Sequence, residues 1–286
     1  MSPAIIDAHV HLWDVDAVPL SWWRPDLGLP RAALVDQLAA LARSASSPVA
    51  GAIAVQAADT LEEADWLART AAASPFLGAL VLQYDARTDA AAWAGMAQSV
   101  IDRTDAGAVG ARVAGIRLAT PSGAPDFGDV PGLDALARGL AESGRALELL
   151  IRSEQLPAAA ALAARHAALP IVVCHLALSG EAPEADWRAG LAAFACRPNA
   201  MAKVSGLVRG GDGDDTRVRT AVAHALDTLG PERLMFGSDW PVSTRFARYT
   251  EVVERTSAAL PALGADEATA FWAGTAQRCY AVACSD

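Results

Sequence analysis

The chain is short of positive charge: 23 lysine and arginine residues face 33 aspartates and glutamates, giving a net charge of -10 over 286 residues. That balance argues against a nucleic-acid backbone or an anionic membrane surface as the main partner and leaves a small molecule as the default. Only four cysteines occur, Cys174, Cys196, Cys279 and Cys284, none of them in CxxC spacing. This excludes a zinc ribbon and a disulfide framework and points to reduced thiols. No run approaches the roughly 18 apolar residues of a membrane span, and no basic segment leads into a long apolar stretch at the start, so a cytoplasmic protein is expected. A glycine-rich turn after the first apolar segment is also missing, which disfavours an open, doubly wound dinucleotide-binding sheet.

What is present is apolar and periodic. Hydrophobic residues make up 53% of the chain, and the abundance of alanine favours helices as its bulk. Eight short apolar segments recur: AIIDA (4–8), VAGAIAVQ (49–56), LGALVLQY (77–84), VAGIRLA (113–119), ALELLI (146–151), PIVVCH (170–175), AMAKVS (200–205) and RLMFGS (233–238). Between them lie amphipathic or alanine-rich stretches such as LEEADWLARTAAA, GLDALARGLAESG, QLPAAAALAARHAAL and DDTRVRTAVAHALDTLG, whose period and length suit helices. Eight such alternations predict an α/β fold, a single (β/α)8 TIM-type barrel domain over residues 1–286. The longest loop-like stretches follow the first, fourth, seventh and eighth strands, and so fall on the face where barrels build active sites.

IIDAHVHLWD, near the start, places His9 and His11 two residues apart. On a strand both point to one face, whereas on a helix they would diverge by about 200°. His175 ends the sixth strand and Asp239 follows the eighth. Three imidazoles and one carboxylate at matching strand ends can hold one divalent metal or activate one water. Any one of them alone would be read as a hydrogen-bonded structural residue; the set reads as a functional one. His166 and His224, inside helical stretches, are expected to be structural or superficial.

In order, IIDAHVHLWD, AIAVQAADT, GIRL, VVCHLALSG, MAKVSGL and ERLMFGSDWPVS resemble the amidohydrolase superfamily, and within it the amidohydrolase-2 branch of sugar-lactone and aromatic-lactone hydrolases. The likeness covers nearly the whole chain. It implies a hydrolase opening a small lactone, from a sugar acid or a dicarboxylate, with Asp239 and His175 catalytic and His9, His11, His175 and Asp239 around one divalent ion, zinc or manganese. Metal-free catalysis is also known in the branch. The common binuclear centre uses a lysine after the fourth strand, but the chain's one lysine is Lys203 on the seventh, so a bridging lysine is excluded. The fifth strand, ALELLIRSEQL, carries no histidine. That disfavours the alternative of a metal-dependent, non-oxidative decarboxylase of an aromatic or unsaturated acid. A non-catalytic binding barrel is the third reading, and the four polar groups at the mouth speak against it.

Further residues are expected around the pocket. Arg117 suits a carboxylate or a lactone oxygen, or else a rim salt bridge. Arg152 and Arg209 are weaker candidates, because loop arginines are mostly solvated. Gln56 and Tyr84 line the floor or are held by hydrogen bonds within the wall. Trp22, Trp23 and Trp240 form an aromatic wall or pin loops. Lys203 and Ser205 face the barrel centre, the lysine in an ion pair. Glu148 and Glu154, near the fifth strand, could substitute for its missing ligand but are rather expected to face outward or lie in loops, and GGDGDDT is expected to be a solvated loop lacking calcium-loop spacing. The partner is a small-molecule lactone, with no nucleic acid and no membrane; a homo-oligomer is compatible with the sequence.

Overall fold

Each of the eight apolar segments becomes a parallel strand. The computed structural model describes residues 4–106, 111–178, 181–210 and 214–282. The strands are β1 (Ile5–Val10), β2 (Val49–Val55), β3 (Leu77–Gln83), β4 (Arg112–Ala119), β5 (Ala146–Leu150), β6 (Ile171–Val173), β7 (Ala200–Val204) and β8 (Leu234–Phe236). They form one sheet in sequence order. Helices follow them as α1 (Val35–Arg43), α2 (Leu61–Ala72), α3 (Ala90–Asp105), α4 (Leu133–Glu142), α5 (Leu156–Arg165), α6 (Ala185–Ala195), α7 (Asp214–Leu229) and α8 (Tyr249–Ala259). The arrangement is the expected (β/α)8 barrel. Among the described residues no helix is long and apolar enough to cross a membrane.

Two rows of side chains hold the cylinder. The outward row, with Leu80, Leu82, Leu147, Leu149, Ile171 and Val173, packs under the helices. The inward row is smaller: Ala8, Ala79, Ala114 and Ala146 stand beside Ile6, Ile53, Val55, Val81, Val172 and Met235. Small inward residues leave the axis open to longer side chains. A last helical segment runs through Ala265–Thr269, a π turn at Ala270–Gly274 and Thr275–Tyr280. It sets Ala273, Ala276, Cys279 and Tyr280 against the inward row.

β6 and β8 are shorter than the sequence pattern predicts, because the chain turns left-handed at His175 (φ 55) and Asp239 (φ 57). The long first loop also carries an antiparallel pair that the pattern did not foretell, Trp13–Asp14 against Ala32–Ala33. Trp13 Nε1 donates to the carbonyl of Pro30 at 2.9 Å and ties the loop down.

The cylinder closes between β1 and the turn after β8. Asp239 N donates to His9 O at 2.9 Å and His11 N to Trp240 O at 2.7 Å, around a parallel bridge of Val10 with Trp240. Asp7 fastens the same seam. Its carboxylate accepts from Ser238 N at 2.8 Å, His9 N at 3.2 Å and the Tyr249 hydroxyl at 3.1 Å. Burial nonetheless pushes its pKa up to about 6. Asp7→Ala strands these buried donors, each unmet group costing about 1–3 kcal/mol, and should lower unfolding free energy by about 3 kcal/mol or more. Asp7→Asn, which keeps an acceptor, should lose about 1 kcal/mol; urea titration of the two variants checks the order.

Candidate active site

His9 and His11 reach the barrel mouth because β1 is bulged. Asp7 pairs with Ala52 and Val10 with Ala54, so three steps on β1 match two on β2. The extra residue resets the alternation. Below it Ile6 and Ala8 face the axis, and above it Val10 and Leu12 pack outward, which leaves both histidines turned inward. β4 repeats the device. Leu80 and Val81 of β3 are matched by Val113 and Gly115, and Arg117 arrives at the mouth.

On β6 and β8 the backbone itself bends. His175, Leu176, Ala177 and Asp239 all have positive φ, four of the six such non-glycine residues among those described. Left-handed backbone costs each roughly 1–2 kcal/mol, so the surroundings must impose it. Trp187 Nε1 donates to Leu176 O at 2.6 Å, and the seam holds Asp239. Glycines make room for the rings: a Cβ on Gly237 would stand 2.6 Å from His9 Cβ, and one on Gly206 (φ 60) 2.6 Å from His175 Nδ1.

Four groups converge. Asp239 Oδ1 lies 3.8 Å from His9 Nε2, 3.6 Å from His11 Nε2 and 4.0 Å from His175 Nε2, and all four residues are buried. Desolvation holds His9 and His11 well below the usual histidine range and lowers His175 to about 3. It lifts Asp239 to about 7, against the pull of Arg209 and Arg117. The rings are therefore neutral near pH 7, while the carboxyl is poised to exchange a proton.

The donor set fits a divalent cation. His11 Nδ1 is 2.7 Å from Val55 O; a carbonyl only accepts, so the hydrogen sits on Nδ1 and the Nε2 lone pair faces Asp239. Two acceptors so close are stable only with a hydrogen or a cation between them. The ligand atoms of His9, His175 and Asp239 lie within 4.8 Å of one another. His9 Nε2 is buried with no hydrogen-bond partner among the described residues. His175 Nδ1 is steadied by the Ser205 hydroxyl at 2.8 Å.

Above these groups opens a cavity of about 380 Å³ whose polar wall includes His11, His175, Asp239, Arg117, Arg152 and Arg209, with Trp13 and Trp22 among the apolar residues. Arg117 is held by its Nε to Gln83 Oε1 and its Nη2 to Gln56 O, both at 2.7 Å. Arg209 is not the solvated loop residue expected. It is partly buried, bonded to Gly206 O at 3.0 Å and laid over Phe246. Arg152 stays on the rim near Glu181. Trp22 forms wall, its Nε1 on Ala57 O at 3.0 Å.

Gln56, Tyr84 and Trp240 lie outside the lining of this cavity. The Gln56 amide binds Glu63, Thr60 O and Gln83 N, the Tyr84 hydroxyl binds Thr88 O, and Trp240 is buried in the outer core. Glu148 is a correction, since it points inward, fully buried, and pairs with Lys203 at 2.6 Å; that pair is the one expected of the lysine. Asp214 is another. It is buried and binds Arg217, Arg255 and the amides of Arg209 and Gly210, while residues 211–213 of the same run lie outside the described residues. His166 pairs with Asp134 and His224 stacks on Trp187, away from the mouth. Cys174, Cys196 and Cys279 are free thiols, and Cys284 lies outside the described residues. Asp7 was missed; a lone carboxylate inside an apolar strand was its signal.

The amidohydrolase family model matches residues 6–282. An L-fucono-1,5-lactonase of Burkholderia multivorans is 33% identical over 298 aligned positions, covering 97% of this chain and 96% of that protein. An L-fucono-1,5-lactonase of Burkholderia ambifaria is 32% identical, over 83% of this chain and 80% of its own. The crystal structure of a B. multivorans amidohydrolase with bound zinc superposes with a TM-score of 0.82 at 31% identity, covering 98% of this chain and 100% of that one. By sequence and by fold, this chain belongs to the amidohydrolase family.

Proposed function

We propose that this chain opens the ring of a sugar lactone by attack of water at the barrel mouth. The observation that carries this reading is the Asp239 carboxyl, lifted to about 7 and faced by three imidazole nitrogens at 3.6 to 4.0 Å. The lactonase names of the two Burkholderia relatives support it, and L-fucono-1,5-lactone is the first substrate to test. The chain is accordingly an amidohydrolase-type enzyme acting on a carboxylic ester bond.

The chemistry needs no redox cofactor. Asp239, ionised, takes a proton from water as the oxygen attacks the lactone carbonyl. Arg117 meets the negative charge that develops on the carbonyl oxygen, and the His175 ring borders the same centre. The ester bond to the ring oxygen breaks, Asp239 returns the proton to that oxygen, and a hydroxy acid leaves. His9, His175 and Asp239 would hold a divalent ion, which we assign as zinc by likeness to the zinc-bound relative; when bound it supplies Lewis acidity.

Asp239→Asn keeps size and polarity but removes the base, so turnover should fall about 10²- to 10⁴-fold with the circular dichroism spectrum unchanged; a near-native rate in a folded variant overturns the assignment. In chelator-treated protein kcat/KM should climb about tenfold per pH unit below neutrality and level off above about 7, since the base works ionised and burial has raised its pKa from 3.8 to about 7. A profile already flat above pH 5 would mean that the base is an unshifted carboxylate. Metal analysis should find at most about one equivalent of zinc per chain, more readily lost than from a closed four-ligand site; two tightly held ions contradict the reading of the donor set.

A further inference from the structure

Lys203 is the one lysine among 23 basic residues, and it is fully buried beneath the reaction centre. An ammonium group has three hydrogens and accepts nothing. Three acceptors surround it: Glu148 Oε1 at 2.6 Å, Ala8 O at 2.7 Å and His9 Nδ1 at 3.4 Å. Glu148 is fixed in turn, its Oε1 accepting the Tyr280 hydroxyl at 2.5 Å and its Oε2 facing the Cys174 thiol at 3.4 Å. An arginine here would bring five donors in a rigid fork to three acceptors.

We infer that Lys203 is a positioning residue that fixes His9 in the tautomer with its hydrogen on Nε2. Its ammonium can only donate to Nδ1, so Nδ1 must present a lone pair. The two histidines of the His-x-His pair then meet Asp239 with opposite polarity: His9 offers a hydrogen, and His11, bound through Nδ1–H to Val55 O, offers a lone pair. The orphaned His9 Nε2, 3.8 Å from Asp239 Oδ1, is a donor aimed at the oxygen that Asp239, a water or a lactone places there. A cation at His9 Nε2 needs the other tautomer, which would set an Nδ1–H against the Lys203 ammonium. Lys203 thereby makes hydrogen bonding the resting state of His9 and the coordination proposed above a state reached at a cost, in keeping with an ion that is readily lost. The inference rests on His9 belonging to the reaction centre proposed above, but its test uses no lactone, so failure of the lactonase reading would appear separately, as absent turnover.

Imidazole 15N NMR of the metal-free protein at neutral pH, with His9 assigned from a His9→Asn variant, reads the tautomer directly. His9 should show a protonated Nε2 and a bare Nδ1, and His11 the reverse. In Lys203→Met the His9 signature should move toward Nδ1–H, and zinc alone, titrated against a chromophoric chelator, should bind about tenfold more tightly or better, because less of the protein starts in the wrong tautomer. Lys203→Met leaves Glu148 unpaired, so Lys203→Met/Glu148→Gln is measured beside it, with circular dichroism reporting folding. A wild-type His9 carrying its hydrogen on Nδ1 overturns the inference whether or not either variant folds, as does an unchanged tautomer or zinc affinity in a variant that does.

Discussion

Two backbone hydrogen bonds, from Asp239 N to His9 O and from His11 N to Trp240 O, close the cylinder, and the same residues carry its polar centre. Among the described residues, closing the barrel and aiming the groups at its mouth fall to the same seam. Asp7, one turn of the pleat below, serves both, accepting from the amides of Ser238 and His9. A loss at this seam therefore reaches stability and geometry together. In most proteins the two are partly separable, with strain at the site offset elsewhere.

Burial decides the electrostatics. Taken from water, imidazoles resist protonation and carboxylates resist ionisation, which is why three rings stay neutral around an aspartate that titrates near 7. One full ion pair, Lys203 with Glu148, is tolerated deeper still, because every hydrogen of the ammonium has an acceptor. Removing one partner of such a pair is far more costly than replacing both.

The strands were legible because branched and small apolar residues recur at barrel spacing, and the mouth was legible because polar residues end those runs. What stayed hidden was direction. Nothing in IIDAHVHLWD marks the extra residue that turns His9 and His11 inward while Val10 turns out, nor does GIRL mark the bulge that delivers Arg117. Three successive left-handed residues at His175, Leu176 and Ala177 include no glycine and leave no trace in propensity. Glu148 looked like a residue to be kept in water, since a sequence does not show that Lys203, 55 positions away, waits on the axis. Arg209 and Asp214 likewise sit in a glycine-rich run whose composition says loop, and only tertiary packing buries them.

The closing seam joins residues 231 positions apart, as the bond from Ser238 N to Asp7 shows. During synthesis β1 leaves the ribosome first, and its free edge has no partner until Trp240 follows. At about 5–20 residues per second that interval is roughly 10 to 50 s. For all of it the nascent chain carries an open parallel edge, the kind of surface that recruits other strands, and it holds a His-x-His pair with nothing yet to aim at. The sheet therefore stays unfinished and adhesive until this last seam is made.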